Sequence, residues 1–386
     1  MEQSGRCQQA NFPGAAPRRK GAVRGESLSG PPSRRIGIRD VAQRAGVAIS
    51  TVSKVFSGRG EVMPALRMRV LGAASELGYQ PNYIAQSLRR GATDLIGFVA
   101  SDLSDPFSAE IIAGAEVILR PAGYALLVMS SNHDPSVDAA NVRNLNNRRV
   151  DAILVSPSRE DDREILAALS EFDGPIIALE SELRTHLPID AVCADHRVGM
   201  HEAIKHLIAL GHHSIAALTG PLARRSGRER LAGLLEGLRR HGLEDRALPL
   251  PTEHDPDAAE AEVLRALDGS APPTALLACG LPLLIGALRA IDRRGLVIGR
   301  DLALVGWDDT PLSQLSHPPI AVVDRDPLGL GAVAAELLLK RLGHAAPRDE
   351  SPARAEVRPV RFIPRASCME APIRHQSFKD RQSAGE

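Results

Sequence analysis

The stretch at residues 40–58, DVAQRAGVAISTVSKVFSG, places two short helical patterns on either side of Gly46. Two turns of helix, a glycine turn and a second short helix form the geometry that lets the second helix enter a DNA major groove. The second helix begins near Ile49, so Ile49, Ser50 and Lys54 sit on its leading turns. The hydroxyls of Thr51 and Ser53 are suited to phosphate oxygens, and Lys54 to a guanine edge or a phosphate. Val41, Ala42, Val47, Val52 and Val55 are the residues to pack the two helices together. A glycine-containing helical hairpin is a common shape, however, and the shape alone requires no nucleic acid.

These residues must be held by neighbouring elements. A third helix is predicted around 63–78, with Val70, Leu71, Ala74 and Leu77 on one face and Gly78 as its stop. Residues 79–91, YQPNYIAQSLRRG, start at Pro81 and Asn82 and stop at Gly91. A helix there has about two turns, too few to be stable alone. From Leu95 onward short apolar runs alternate with amphipathic stretches. Strands are expected at 95–100, 125–129, 152–156, 176–179, 215–218, 275–279, 302–306 and 320–323. Between them lie helices such as 196–210, with Ile204, Leu207 and Ile208 inward, and 228–241, with Leu231, Leu234, Leu235 and Leu238 inward. Such alternation builds parallel sheets covered by helices on both faces. Its extent calls for two α/β lobes, with a ligand at the carboxyl ends of the strands, in the cleft between them.

The composition agrees. Aromatic residues make up only 3% against 44% hydrophobic overall, so the core rests on aliphatic side chains, which suits α/β better than a β-sandwich. The net charge is zero, yet residues 1–92 carry 15 Lys/Arg against 5 Asp/Glu. A basic head on an acidic body fits a polyanion-binding module joined to a part that does not bind polyanions. The 4 cysteines, Cys7, Cys193, Cys279 and Cys368, form no CxxC pair and point to a reducing cytoplasm rather than a disulfide framework or zinc site. No signal-peptide pattern or long apolar run points to export or a membrane span. Residues 1–35 read as a disordered basic tail, and 366–386 as a loose polar tail.

The string IRDVAQRAGVAISTVSKVFSG, followed by YQPNYIAQSLRRG and LIGFVASDLSDPF, resembles the start of the LacI/GalR family of bacterial repressors. The order continues through RRVDAILVSPS, HLIALGHHSIAALTGP, RERLAGLLEGL, GALRAI and VGWDDTPLSQLSHPPIAVV, so the resemblance spans about residues 36–365. It implies a helix-turn-helix headpiece with a hinge helix over 36–92. Behind it, over 94–365, it implies a two-lobed α/β domain of the periplasmic-binding-protein type that binds an effector and forms the dimer.

By that resemblance, Ile49, Ser50 and Lys54 match the base-reading positions, with Thr51 and Ser53 beside them. Asn82–Arg90 matches the hinge helix, which pairs with its copy in the minor groove. There Leu88 is the wedge that unstacks a base step, Ala85 the small residue that allows close approach, and Asn82 and Arg89 flank them. The family's usual Ser cap of the second helix is Ala48 here, a change worth about 1 kcal/mol of helix stability. The cap of the first helix is Gly37. Effector contacts match Asp105, Phe107 and Ser108, then Arg230, then Trp307 and Asp308, then Arg325. Read without the motif, Phe107 and Trp307 are core residues and Arg230 a surface helix residue.

Two positions depart from the family. Gly280 and Leu281 stand where it usually has Asn-Asp, and Glu180 and Ser181 where it often has Asp-Arg. Either the effector is unusual (less polar, or anionic and held by Arg230 and Arg325), or the site has lost its response. The implied protein is a cytoplasmic, nucleoid-associated homodimeric repressor. It binds palindromic double-stranded operator DNA under the control of a sugar or sugar-like effector, and it has no catalytic residues, metal or other cofactor. A transport binding protein and an enzyme are the alternatives. The headpiece argues against the first, and the absence of GxGxxG, P-loop, GxSxG and HExxH motifs against the second.

Overall fold

The computed structural model describes residues 36–57, 61–80, 91–344, 347–349 and 351–372. The stretches 1–35 and 81–90, on which the basic tail and the hinge helix were placed, lie outside the described residues. The chain forms two compact units, 1–83 and 84–386.

The first unit contains helices α1 (Ile38–Ala45), α2 (Ile49–Ser57) and α3 (Pro64–Leu77). Gly46 ends α1 at φ 62°, in the left-handed region that glycine adopts without strain, and Val47 N donates back to Ala42 O at 3.0 Å. Gly37 has no side chain to cap α1, but its own N–H donates to Asp40 Oδ2 at 2.8 Å, which partly replaces a cap. The core is small: Val41, Ala42, Ala45, Val52, Val55, Val70, Ala73 and Ala74 are buried, and Phe56 meets Tyr79 edge-on at 5.5 Å. Leu71, expected inward, is 42% exposed; the short Ala73 takes the inward place, because α3 sits close against α1.

The second unit has two lobes. The first lobe's sheet has the order β11-β5-β4-β3-β1-β2. These strands are β1 (Leu95–Ala100), β2 (Ala125–Ser130), β3 (Ala152–Val155), β4 (Ile176–Leu179), β5 (Asp190–Ala194) and β11 (Ala355–Arg358). The second has the order β12-β10-β9-β8-β6-β7. It is made of β6 (Ile215–Leu218), β7 (Ala247–Leu250), β8 (Ala275–Ala278), β9 (Ala303–Trp307), β10 (Ala321–Asp324) and β12 (Arg361–Ile363). All pairs are parallel except β10 with β12. Strands β5, β7, β11 and β12 had not been expected. Strand β7 carries Pro249 at an edge, β11 and β12 are half exposed, and the buried β5 opens on the charged Asp190, so no continuous apolar run marks them.

Helices α4 (Pro106–Leu119), α5 (Pro135–Asn147), α6 (Arg163–Ser170) and α12 (Pro327–Leu342) belong to the first lobe. Helices α7 (His196–Ala209), α8 (Arg225–Arg239), α9 (Pro256–Leu267), α10 (Leu281–Arg293) and α11 (Pro311–Leu315) belong to the second. Helix α8 starts three residues before the expected start at 228, and its buried face includes Arg230, Gly233 and Gly237 as well as Leu234 and Leu238. The chain crosses between lobes after β5, β10 and β11. The expected loose tail from 366 is docked at its start. Ser367 is fully buried, accepting from Ala321 N and donating to Leu304 O, and Ala371 N donates to Leu210 O. Backbone groups next to a sheet need partners, and this segment supplies them.

Candidate functional site

In the first unit the surface of α2 divides cleanly. Val52 and Val55 point into the small core. Ile49 is 43% exposed, Ser50 and Lys54 are exposed, and Thr51 and Ser53 are half-buried at the border. This 3.6-residue split buries one face and leaves the other exposed. Arg69 of α3 donates to Ala45 O at 2.6 Å, which ties the third helix to the turn. Asn82, Ala85, Leu88 and Arg89 fall outside the described residues.

In the second unit the anticipated effector residues gather at the carboxyl ends of the strands of both lobes. Beyond β1, Asp105 caps α4 by accepting from Phe107 N at 3.0 Å, and Ser108 is buried on the helix's first turn. Burial raises the Asp105 carboxyl above its ordinary value, although the Phe107 N–H opposes this. Beyond β9 and β10, Arg325 lies over the Phe107 ring, 3.6 Å from its centroid. Arg325 also donates from Nε to Asp308 Oδ1 at 2.7 Å and from Nη1 to Glu180 Oε2 at 2.9 Å. Glu180 further accepts from Ala194 N and pairs with His196 Nε2 at 2.7 Å.

These four side chains sit where the chain crosses between lobes, and all are nearly inaccessible. Burial works to raise the Glu180 carboxyl, but His196, Arg325 and the Ala194 N–H hold it well below its usual range. Burial pushes His196 down to about 4, with Arg230 and Arg325 adding to that, so it is neutral near pH 7 and donates to Glu180. Glu180 and Asp308 both have left-handed backbone, at φ 54° and 66°. Strain of this kind persists only where surrounding contacts enforce it.

Trp307 is fully buried in the second lobe's core, parallel to His196 at 6.0 Å. Arg230 lies 5.1 Å from the Trp307 ring and is 2% exposed, so it is no surface helix residue. It donates from Nη1 to Cys279 O at 2.7 Å and to Thr219 O at 3.3 Å. Gly280 and Leu281 open α10 next to it.

Several residues of the cleft escaped the sequence analysis. Glu160, past β3, is 1% exposed and bridges the lobes, accepting from Arg225 N at 2.7 Å and Arg228 Nη2 at 2.8 Å. Arg224 Nη2 donates to Ser156 Oγ at 3.3 Å. His133 of the first lobe stacks on His254 of the second with centroids 6.1 Å apart. All follow strand ends, and that position was the signal available to find them. The geometry offers hydrogen-bond donors and acceptors from both lobes to a small polar molecule. Among the described residues, no group of three or more His, Cys, Asp or Glu is placed to hold a metal, and no helix is long and apolar enough to cross a membrane.

Known proteins match in the same two parts. The family described as bacterial regulatory proteins, lacI family, matches residues 37–82, and a periplasmic binding protein-like domain matches 204–368. An HTH-type transcriptional regulator, DegA of Bacillus subtilis, is 32% identical over 298 residues, covering 76% of this chain and 88% of its own. The lactose operon repressor of Escherichia coli is 33% identical over 305 residues, covering 78% and 83%. The crystal structure of the lac repressor dimer bound to operator and the anti-inducer ONPF superposes with a TM-score of 0.76 at 28% identity, over 87% of this chain and all of that one.

Proposed function

The chain belongs to the lacI family of bacterial regulatory proteins, and from that premise we infer how its parts serve a DNA-binding transcriptional repressor under allosteric small-molecule control. We assign 36–92 to DNA binding and 94–365 to effector binding and dimerisation. Helix α2 enters the major groove, where Ile49 offers apolar contact to a thymine methyl, Ser50 and Lys54 reach base edges, and Thr51 and Ser53 hold phosphates. Asn82, Ala85, Leu88 and Arg89 act in the minor groove at the operator centre, with Leu88 as the wedge. Two copies of the chain read a palindrome, because an isologous dimer presents the same helix twice.

The effector lies among Asp105, Phe107, Ser108, Arg230, Gly280, Leu281, Trp307, Asp308 and Arg325. Solved relatives are described with ONPF and with cellobiose, so a sugar-like molecule is the natural class from which to start. Its binding shifts the relative position of the lobes and, through the dimer, the DNA-binding segments. The setting is the cytoplasm, where the DNA is. The relatives are regulators, and we assign this chain no catalysis.

One observation carries the DNA-binding assignment: α2 buries Val52 and Val55 while exposing Ile49, Ser50 and Lys54 on its other face. The test is selection of bound duplexes from a random pool at near-physiological salt. Enrichment of a palindrome with a flexible central step, lost in Leu88→Ala, is expected. Lys54→Ala should weaken binding and relax the preference at the base pair it reads. Binding without enrichment of any sequence would overturn the sequence-specific reading.

A further inference from the structure

The arginines at the strand ends are not all paired directly. Arg325 is taken up by Asp308 and Glu180, and Arg228 by Glu160. Arg230 and Arg224 have no such partner: among the described residues neither forms an ion pair. Among the described residues, Arg230, 2% exposed, reaches only backbone carbonyls through Nη1, and its buried Nε has no hydrogen-bond partner. The Arg224 side chain, among the described residues, hydrogen-bonds only to a serine hydroxyl. The Trp307 indole N–H, also buried, has no acceptor among the described residues.

These groups converge near the ends of β6 and β8. A Cβ on Gly220 would come 2.9 Å from His254 Nε2 and 3.6 Å from Arg230 Nη1, so imidazole and guanidinium flank one residue that has no side chain. A Cβ on Gly280 would lie 3.5 Å from the same imidazole. Leu281, next in the chain, brings no charge. Burial drives His254 well below its ordinary value, and the charged neighbours acting on it, Arg224, Arg230, His133 and Arg325, all push the same way. A buried guanidinium without a direct ion-pair partner is costly, as at Arg230, and an incoming anion lowers that cost.

Building on the effector reading above, we propose that the effector is an anion whose carboxylate or phosphate group lies against Arg224 and Arg230 beside His254. Arg325, whose charge is already satisfied, is not the anion's holder. Guanidinium groups suit either oxyanion because their forked donors match two oxygens at once.

The test titrates the full chain with D-gluconate against D-glucose, D-ribose 5-phosphate against D-ribose, and inorganic phosphate. Binding is read by calorimetry and by the emission of Trp307, the one tryptophan in the sequence. Inorganic phosphate should bind saturably, and the charged member of at least one pair should bind about tenfold or more tighter than its neutral partner. Which pair responds tells carboxylate from phosphate. Arg224→Gln and Leu281→Asp, checked for folding by circular dichroism, should each reduce that preference about tenfold.

The proposal fails if a neutral member binds as tightly as its charged partner, if the preference survives both substitutions, or if neither phosphate nor any charged probe binds. Operator binding of the same preparation separates this failure from that of the regulator reading. A neutral sugar that binds and changes operator affinity overturns only the anion. A protein that selects no operator overturns the regulator reading.

Discussion

The two lobes of the second unit run their strands in matching order, β2-β1-β3-β4-β5 against β7-β6-β8-β9-β10, each flanked by a late strand from the C-terminal segment. The chemistry they present at the strand ends is opposite. The first lobe offers Asp105, Asp138, Glu160 and Glu180; the second offers Arg224, Arg228, Arg230 and Arg325, with Asp308 as its one buried acid in that network. A shared fold therefore places positions, while the residues at those positions decide what they bind. The lobes also join differently at their two meeting points. At the crossovers, Glu180, His196, Arg325 and Asp308 form a fully buried network; across the cleft mouth, Glu160 meets Arg228, which is about one-third exposed.

That contrast is sharpest in Arg325→Gln. It leaves Glu180 and Asp308 buried without their cation and should cost about 3–5 kcal/mol in urea unfolding of the second unit. Glu160→Gln, at the wetter contact, should cost about 1–2 kcal/mol. Equal losses would mean that the crossover network is not the stronger joint.

Acid tests the same network. His196 titrates near 4 when folded and near 6.5 when unfolded, so between those values the unfolded chain binds more protons. Stability is therefore full above about pH 6.5 and falls toward pH 4 by about 3 kcal/mol. Glu180, depressed in the fold, adds a loss in the same direction below its ordinary value near 4.5. Scanning calorimetry across pH 4–8 should show this decline, with a flatter profile for His196→Gln. Greater stability at pH 5 than at pH 7 would sink the assignment of a neutral buried histidine.

A smaller difference lies in helix packing. In the first lobe Gly114 of α4 presses on α12, and a Cβ there would stand 1.9 Å from Leu328 O, a backbone atom that cannot step aside. In the second lobe, a Cβ on Gly237 of α8 would meet the flexible Cδ1 of Ile204 at 2.7 Å. Gly114→Ala should cost about 1–3 kcal/mol and Gly237→Ala less than about 1, measured as shifts in unfolding midpoint. The smallest effect is expected outside the lobes. Ile49→Ala, on the exposed face of α2, should leave headpiece stability within about 0.5 kcal/mol while weakening operator binding.

Much of this was legible beforehand for a physical reason. Helices α1 and α2 carry a glycine stop and a 3.6-residue apolar repeat, and central strands such as β1, β4, β6 and β8 are continuous runs without a polar side chain, buried on both faces. Local patterns of this kind survive in one dimension. Strands β7, β11 and β12 were not legible, because edge and half-exposed strands gain their pairing from a neighbour rather than from their own residues, and the interior β5 was not, because its run opens on Asp190, whose charge is met only in the fold by Arg341. Leu71 was misplaced because close approach of α1 and α3 favours alanine on the inner line, and that closeness is a property of the pair.

By itself, the sequence determined the family, the helix-turn-helix pattern and the strand–helix alternation, and its resemblance to the family singled out Asp105, Arg230, Trp307, Asp308 and Arg325. The tertiary structure alone decided which of those charges are spent. Arg325 and Arg230 look alike along the chain, yet Arg325 ends between Asp308 and Glu180 while Arg230 ends against two carbonyls and an indole ring. Charge compensation is set by distances of a few ångströms between residues more than a hundred positions apart, as between Arg325 and Glu180, and no local pattern encodes it.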